Sequence, residues 1–219
     1  KDTVAPSITS SLSGTAGGNG WYVSDVQVSA SATDATSGLA SLTLSCGANP
    51  CTVTTDGIHT ITATAQDNAG NTATRTITVN RDVTPPVITF SPSGTAGNNG
   101  WYVSPVSLSA SASDATSGLD ALTLSCGANP CTITAEGTTT VNASARDRAG
   151  NPASSSVDVR IDTAPPTVAF NVPAPDGQNG WYVSDVTVSV DGTDATSGVA
   201  FRRVRVNGGT WQNSPFTLT

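Results

Sequence analysis

Carboxylates are the side chains in this sequence best placed to do chemistry, because aspartates recur in three fixed settings. One set stands just before a proline-containing joint: Asp2, Asp82 and Asp162. A second opens the loop Asp-Ala-Thr-Ser-Gly at Asp34, Asp114 and Asp194, and a third opens Asp-x-Ala-Gly-Asn at Asp67 and Asp147. The apolar alternation Val26, Val28, Ala30, Ala32 runs on in phase to Asp34, and Ile61, Ala63, Ala65 runs on to Asp67. A period of two therefore sets both carboxylates at the end of a core, between sheets rather than on an outer face. In an antiparallel sandwich the incoming chain, the loop after the second strand and the loop between the last two strands share one pole. Asp2, Asp34 and Asp67 are expected to converge there, and Asp82, Asp114 and Asp147 likewise. Asp162 and Asp194 have no third partner in the chain. Clustered carboxylates repel one another unless a cation or hydrogen-bond donors compensate. Ca²⁺ takes oxygen ligands of the kinds available here, so one reading is a set of Ca²⁺ sites, of modest affinity because no dense Asp-x-Asp-x-Asp series is present. The other reading is that each aspartate caps its own turn.

The cysteines fall as Cys46-Gly-Ala-Asn-Pro-Cys51 and Cys126-Gly-Ala-Asn-Pro-Cys131. An Asn-Pro turn between strand-like runs predicts two disulfides, Cys46–Cys51 and Cys126–Cys131, each across a hairpin neck. Zinc would need further ligands, and the chain has one histidine. Disulfides imply an oxidising, extracellular compartment. At the equivalent positions of the third copy stand Val206 and Trp211, predicting a cross-strand pair in place of a cystine.

Catalytic chemistry has little to stand on. His59, the one histidine, is replaced by Thr139 a repeat later, and no nucleophile–base pair recurs. No catalytic residue is assigned, and the chain is read as no enzyme. Isopeptide cross-linking would need a lysine in each domain, and Lys1 is the only one. The thrice-repeated Gly-Trp-Tyr-Val-Ser could stack a sugar, but packing on the core or an adjoining domain is the preferred role, so no ligand-binding residue is assigned.

These residues are carried by a repeat. Gly20–Ser24, Gly100–Ser104 and Gly180–Ser184 are the same five residues at a spacing of 80, and residues 1–80 match 81–160 at 49 positions without a gap. The expected domains are 1–82, 83–162 and 163–219. In a gapless alignment Thr219 falls opposite His59, so the third is expected to be incomplete, lacking its last strands. It is then either part of a longer array or completed by another chain. Ser, Thr and Val alternate between turn residues every eight to twelve positions, with no helical period. In the first copy strands are expected near Ser7–Ser13, Val26–Asp34, Leu39–Cys46, Cys51–Thr55, Ile58–Asp67 and Thr72–Asn80. Six or seven short antiparallel strands in 80 residues predict an all-β fold of tandem immunoglobulin-like sandwiches in a linear array. The Pro-Pro joints are stiffer than Gly/Ser linkers. Net charge is −7 with 11% charged residues, and no basic stripe exists to meet phosphates, so nucleic acid is excluded as a partner. No apolar run reaches spanning length, so no membrane insertion is expected in this segment.

The run Asn-Gly-Trp-Tyr-Val-Ser-x-Val, then Asp-Ala-Thr-Ser-Gly, then Asp-x-Ala-Gly-Asn, with Asp-x-x-Pro-Pro at the joints, resembles the bacterial immunoglobulin-like tandem repeats of the Gly-Trp-Tyr class. Such repeats occur in secreted and cell-surface adhesin-type proteins, and also as accessory modules of secreted glycoside hydrolases. The resemblance implies an extracellular spacer or stalk, or a surface-filament subunit, whose partners are neighbouring repeats of the same or an identical chain. It also implies calcium at the joints, falling on Asp2, Asp34 and Asp67 and on Asp82, Asp114 and Asp147, with Asp162 and Asp194 as the candidate ligands of a third joint that has no third motif in this chain. The alternative is a carbohydrate-binding accessory module, with a glycan or surface receptor as partner.

Overall fold

A computed structural model describes residues 1–218. The chain is built from short strands, β1 (Ser7–Ser13), β2 (Val26–Thr33), β3 (Leu39–Leu44), β4 (Cys51–Val53), β5 (Gly57–Asp67) and β6 (Thr72–Arg81) in the first copy. The second copy carries β7 (Val87–Ser93), β8 (Trp101–Tyr102), β9 (Val106–Ser113), β10 (Leu119–Leu124), β11 (Cys131–Ile133), β12 (Gly137–Asp147) and β13 (Pro152–Ile161). The third carries β14 (Thr167–Asn171), β15 (Val186–Thr193), β16 (Arg203–Val204), β17 (Gln212–Asn213) and β18 (Phe216–Leu218), with one 3-10 turn at Gln178–Gly180. By contact the chain divides into two units: Lys1–Ser91 with Ser109–Asn129 and Val141–Val157, and Pro92–Leu108 with Pro130–Thr140 and Asp158–Thr219.

In the first unit, β1-β2-β4 form one sheet and β3-β5-β6 another. Val26, Val28, Cys51 and Val53 of the first face Leu44, Ile61, Ala63, Ile77 and Val79 of the second in one apolar cluster. That makes an immunoglobulin-like sandwich. Val26, Val28 and Val79 lose all exposure, each worth roughly 1.5–3 kcal/mol of burial. The second copy repeats the pairings 80 positions on. In the first unit Leu124 stands opposite Ala143, as Leu44 does opposite Ala63. In the second unit Val106 stands opposite Ile133, as Val26 does opposite Val53.

Three expectations are corrected. First, β3 and β4 do not form a hairpin: β3 pairs with β5, and β4 pairs with β2. The Cys46–Cys51 bond (Cα–Cα 6.3 Å) therefore closes a crossover between the two sheets. Asn49 holds that crossover in place, accepting from the Ala30 amide at 3.1 Å and donating to the Ala30 carbonyl at 2.8 Å. Cys126 and Cys131 are also disulfide-bonded.

Second, the third copy does not align without a gap. β18 pairs with β15 so that Phe216 stands opposite Val188 and Leu218 opposite Val186, the places of Cys51 and Val53. The matching residues are thus five positions later than a gapless alignment puts them, and Thr219, which it matched to His59, lies outside the described residues. The extra residues make a real hairpin, β16–β17, turned at Asn207 (φ 48°) and Gly208 (φ 73°).

Third, Val206 and Trp211 do not replace the cystine: both are exposed, and Trp211 instead stacks with the Arg205 guanidinium, 4.8 Å from the ring centre.

Candidate functional site

The Gly-Trp-Tyr segment prepares the joint. Trp101–Tyr102 is a two-residue strand, β8, pairing parallel to the end of β13, and Tyr22 bridges in parallel to Arg81 in the same way. The Tyr22 amide donates to Asn80, and the Tyr22 carbonyl receives the Asp82 amide at 2.9 Å. Tyr102 receives the Asp162 amide, also at 2.9 Å. The motif therefore fixes the backbone from which Asp82 and Asp162 project. Its aromatic body is half-buried in the first two copies, with Tyr22 packed on the core. Trp181 of the third copy is 74% exposed.

From that backbone the carboxylate reaches forward. Asp82 Oδ1 accepts from the Thr84 amide at 3.1 Å, and Oδ2 accepts from the Ser117 amide at 3.1 Å. Ser117 belongs to the Asp-Ala-Thr-Ser-Gly loop, 35 residues on. The same reach joins Asp2 to Ser37 (3.1 Å) and Asp162 to Ser197 (3.0 Å). Asp82 is fully buried. Its carbonyl accepts from the Asn151 side chain at 3.0 Å, so the Asp-x-Ala-Gly-Asn turn holds it as well.

The loop aspartates wind the backbone around themselves. Asp114 Oδ1 accepts from the amides of Thr116, Ser117 and Gly118 at 2.9–3.1 Å. Asp34 does the same with Thr36, Ser37 and Gly38, and Asp194 with Thr196, Ser197 and Gly198. Asp147 Oδ1 accepts from Gly150 and Asn151, while Oδ2 takes the Asn151 side chain at 2.8 Å. Asp67 is held alike by Ala69 and Asn71. Every one of these aspartates is thus a turn cap.

The caps also gather. Asp2, Asp34 and Asp67 each offer a carboxylate oxygen within 4.8 Å of the others, and Asp82, Asp114 and Asp147 form a second such group. Asp162 and Asp194 share the Ser197 amide, and no third carboxylate joins them among the described residues. Ca²⁺ bonds oxygen at 2.3–2.6 Å, so its ligand atoms lie up to about 5 Å apart; the two groups of three fit that span. Asp34 Oδ2 and Asp114 Oδ2 accept no protein hydrogen bond among the described residues, and Asp82 Oδ2, Asp67 Oδ2 and Asp147 Oδ2 accept one each.

Donors set the charge state. The Ser37 side chain, helped by amides, holds the Asp2 carboxyl below the ordinary carboxylate range. The Ser197 side chain does so for Asp162 against its burial. Burial pushes Asp67 up, but the Asn71 side chain and the Asn71 and Ala69 amides outweigh it and leave the group lowered, even with Asp2 close by.

Several joint residues carry no advance signal in the sequence. Arg81, nearly buried, pairs with Asp25 and Asp56 at 2.7 Å each. Asp56 also accepts from Val83 and the Thr84 hydroxyl, tying down the first linker. Glu136 does the same for Thr163 of the second linker. For Asp56 and Glu136 alone the sequence holds a signal, an acidic residue at the same position of both repeats. Asp176 fixes the Ser184 hydroxyl and the Val183 amide of the third Gly-Trp-Tyr segment. These bonds, the Ser184 side chain foremost, hold its carboxyl below the ordinary range.

No curated protein matches the chain. A solved structure, the crystal structure of a tetra-tandem repeat in the extending region of a large adhesion protein, is similar over 97% of this chain at 20% identity, with a TM-score of 0.30. The chain spans 63% of that structure's length. Residues 51–134 match the model of the bacterial Ig-like domain (group 3). That stretch runs from the middle of the first copy to the middle of the second. Residues 51–134 are thus similar to a bacterial Ig-like domain, and the repeats share an all-β, immunoglobulin-like fold.

Proposed function

We propose that this chain is a non-enzymatic structural spacer of an extracellular bacterial surface protein, an adhesin-type stalk or a surface-filament subunit. Its units would be the sequence repeats 1–82, 83–162 and 163–219, and its partners neighbouring repeats of the same kind. One observation carries the reading: each linker aspartate bonds through its side chain to the loop 35 residues on, at Ser37, Ser117 and Ser197. In Asp82 and Asp162 the backbone amide is also held by the preceding tyrosine. A linker clamped on both sides suits a spacer better than a tether. The disulfide-bonded cysteines support an oxidising location.

Calcium at Asp2/Asp34/Asp67 and Asp82/Asp114/Asp147 would stiffen such joints by drawing together carboxylates from the linker and two loops. Small-angle scattering of the chain in EGTA and in millimolar Ca²⁺ tests both parts. The expected result is one narrow distance distribution that sharpens with Ca²⁺. A broad, multi-conformer distribution in both buffers would overturn the spacer reading, and identical curves would overturn the role of calcium.

The exposure of Trp181 and Trp211 favours, as a second reading, a glycan-binding surface on the third copy. A glycan array settles it: binding lost in Trp181→Ala supports this reading, and no binding removes it.

A further inference from the structure

Within the first unit the loop Gly17–Gly20 lies against the turn Arg148–Gly150. The Gly18 amide donates to the Ala149 carbonyl at 2.7 Å, and the Asn19 side chain donates to the Arg148 carbonyl at 2.9 Å, 129 residues away in sequence. Ala149 is fully buried, whereas Ala69, at the same place in the first copy, is exposed.

The two glycines of the loop answer to different demands. A Cβ at Gly17 would stand 2.3 Å from the Ala149 carbonyl oxygen. The same position is glycine in the other copies for a local reason: a Cβ at Gly97 or Gly177 would crowd its own loop, at 3.0 Å from Val103 and 2.8 Å from Trp181. Gly18 is different. Its counterparts are Asn98 and Gln178, and those loops close with the same bonds. The first residue donates to the tryptophan carbonyl at 2.8–2.9 Å, and the tryptophan amide donates back to the second residue. A side chain at this position is therefore compatible with the loop. It is incompatible only with the contact across to the turn, where a Cβ on Gly18 would lie 2.6 Å from the Arg148 oxygen.

We infer that the Gly17–Gly20 loop is a latch, an interaction surface whose partner is the Asp-x-Ala-Gly-Asn turn of the following repeat, and that Gly18 is the residue that permits it to close. Both acceptors on the turn are main-chain carbonyls, so the variable residue of the turn, Asn68 or Arg148, is not read. Specificity lies in the loop: the Asn98 and Gln178 loops carry a Cβ where this latch leaves no room. The contact continues into the joint, since the Ala149 amide donates to the Ser117 hydroxyl at 3.2 Å and the Ser117 amide donates to Asp82 and Asp114. The latch itself needs no cation.

The test is Gly18→Asn in the full chain, held in EGTA and followed by residue-resolved amide exchange. The expected result is a loss of protection at position 18 of about fivefold or more, the loss of one hydrogen bond, with protection at the Trp21 amide retained because the loop still closes. Asn19→Gly, which keeps the positive φ of 52° but removes the second bond, should move exchange at position 18 in the same direction. Unchanged exchange at position 18 in Gly18→Asn overturns the latch. Loss of Trp21 protection overturns the claim that only the latch demands glycine. Because no metal is present, failure of the calcium reading leaves either outcome intact.

Discussion

Asp82→Asn separates the two roles that the buried linker carboxylate could play. The carboxylate oxygens of Asp82, Asp114 and Asp147 lie within 4.8 Å of one another. At an effective dielectric near 20, two unit charges at that distance repel by about 3 kcal/mol before solvent screening. Against this, the substitution loses the charge-assisted bond from the Ser117 amide, worth roughly 1.5–3 kcal/mol, while Oδ1 still serves Thr84 and Asp114 still serves Ser117. In EGTA the variant is therefore expected to be as stable as the parent, or more so. With Ca²⁺ at a hundred times its dissociation constant a site that binds only the folded state adds about 2.7 kcal/mol. The parent gains that increment at this joint and the variant does not, while the Asp2/Asp34/Asp67 group continues to respond in both. Urea unfolding in EGTA and in millimolar Ca²⁺ reads the difference. A calcium increment equal in the two proteins would refute the argument, and so would a parent indifferent to calcium; the aspartates would then be turn caps alone.

Reducing the disulfides should cost about 2 kcal/mol for each bond, the loop-closure value for a ring of about six residues, seen as a lower urea midpoint in dithiothreitol. Arg81→Ala leaves Asp25 and the mostly buried Asp56 unpaired and should cost about 3 kcal/mol. The double variant Arg81→Ile/Asp25→Pro, which copies Ile161 and Pro105, should recover most of that loss; no recovery would show that the ion pairs, and not the geometry of the site, are required. The lowered carboxyls of Asp2, Asp67 and Asp162 bind fewer protons folded than unfolded just below the ordinary carboxylate pKa. Their contribution is full above that value and falls as pH drops through the folded values. Urea midpoints should therefore decline between roughly pH 4 and pH 2. A midpoint that rises on acidification would mean that repulsion within the clusters outweighs the hydrogen bonds.

Strand positions were legible because alternation and turn residues are both local: β1, β2, β5 and β6 fall within a residue or two of the places the pattern predicts. The gathering of the aspartates was legible because a period of two turns Asp34 and Asp67 inward, and the sandwich topology brings the incoming chain and both loops to one pole. Pairing was not. Cys-Gly-Ala-Asn-Pro-Cys is as good a crossover between sheets as a hairpin turn, and only the partners of β3 and β4 decide between them. The third copy misled because Gly-Trp-Tyr anchors its start, while the extra residues that build β16–β17 come later and leave Phe216, not Trp211, in the place of Cys51. Arg81 and Asp25 could not be read from the repeat, because the second copy puts Ile161 and Pro105 there. Two residues such as Trp101–Tyr102 are too few to show any period.

The parallel pairing of that short segment with the last strand of its repeat bears on how the protein responds to force. Trp101 and Tyr102 lie early in the second copy, while Arg160 and Ile161 lie at its end. Tyr22 and Arg81 stand in the same relation in the first. Tension applied through the two ends of a repeat drags such a pair along its own length, so its hydrogen bonds share the load and fail together instead of one after another. The first two repeats should thus rupture abruptly in single-molecule pulling, and Tyr102→Pro, which removes a donor from this pair, should lower the rupture force of the second copy alone. In these two repeats the tryptophan–tyrosine segment would then act as a mechanical clasp, with the load borne by a pairing no more than two residues long.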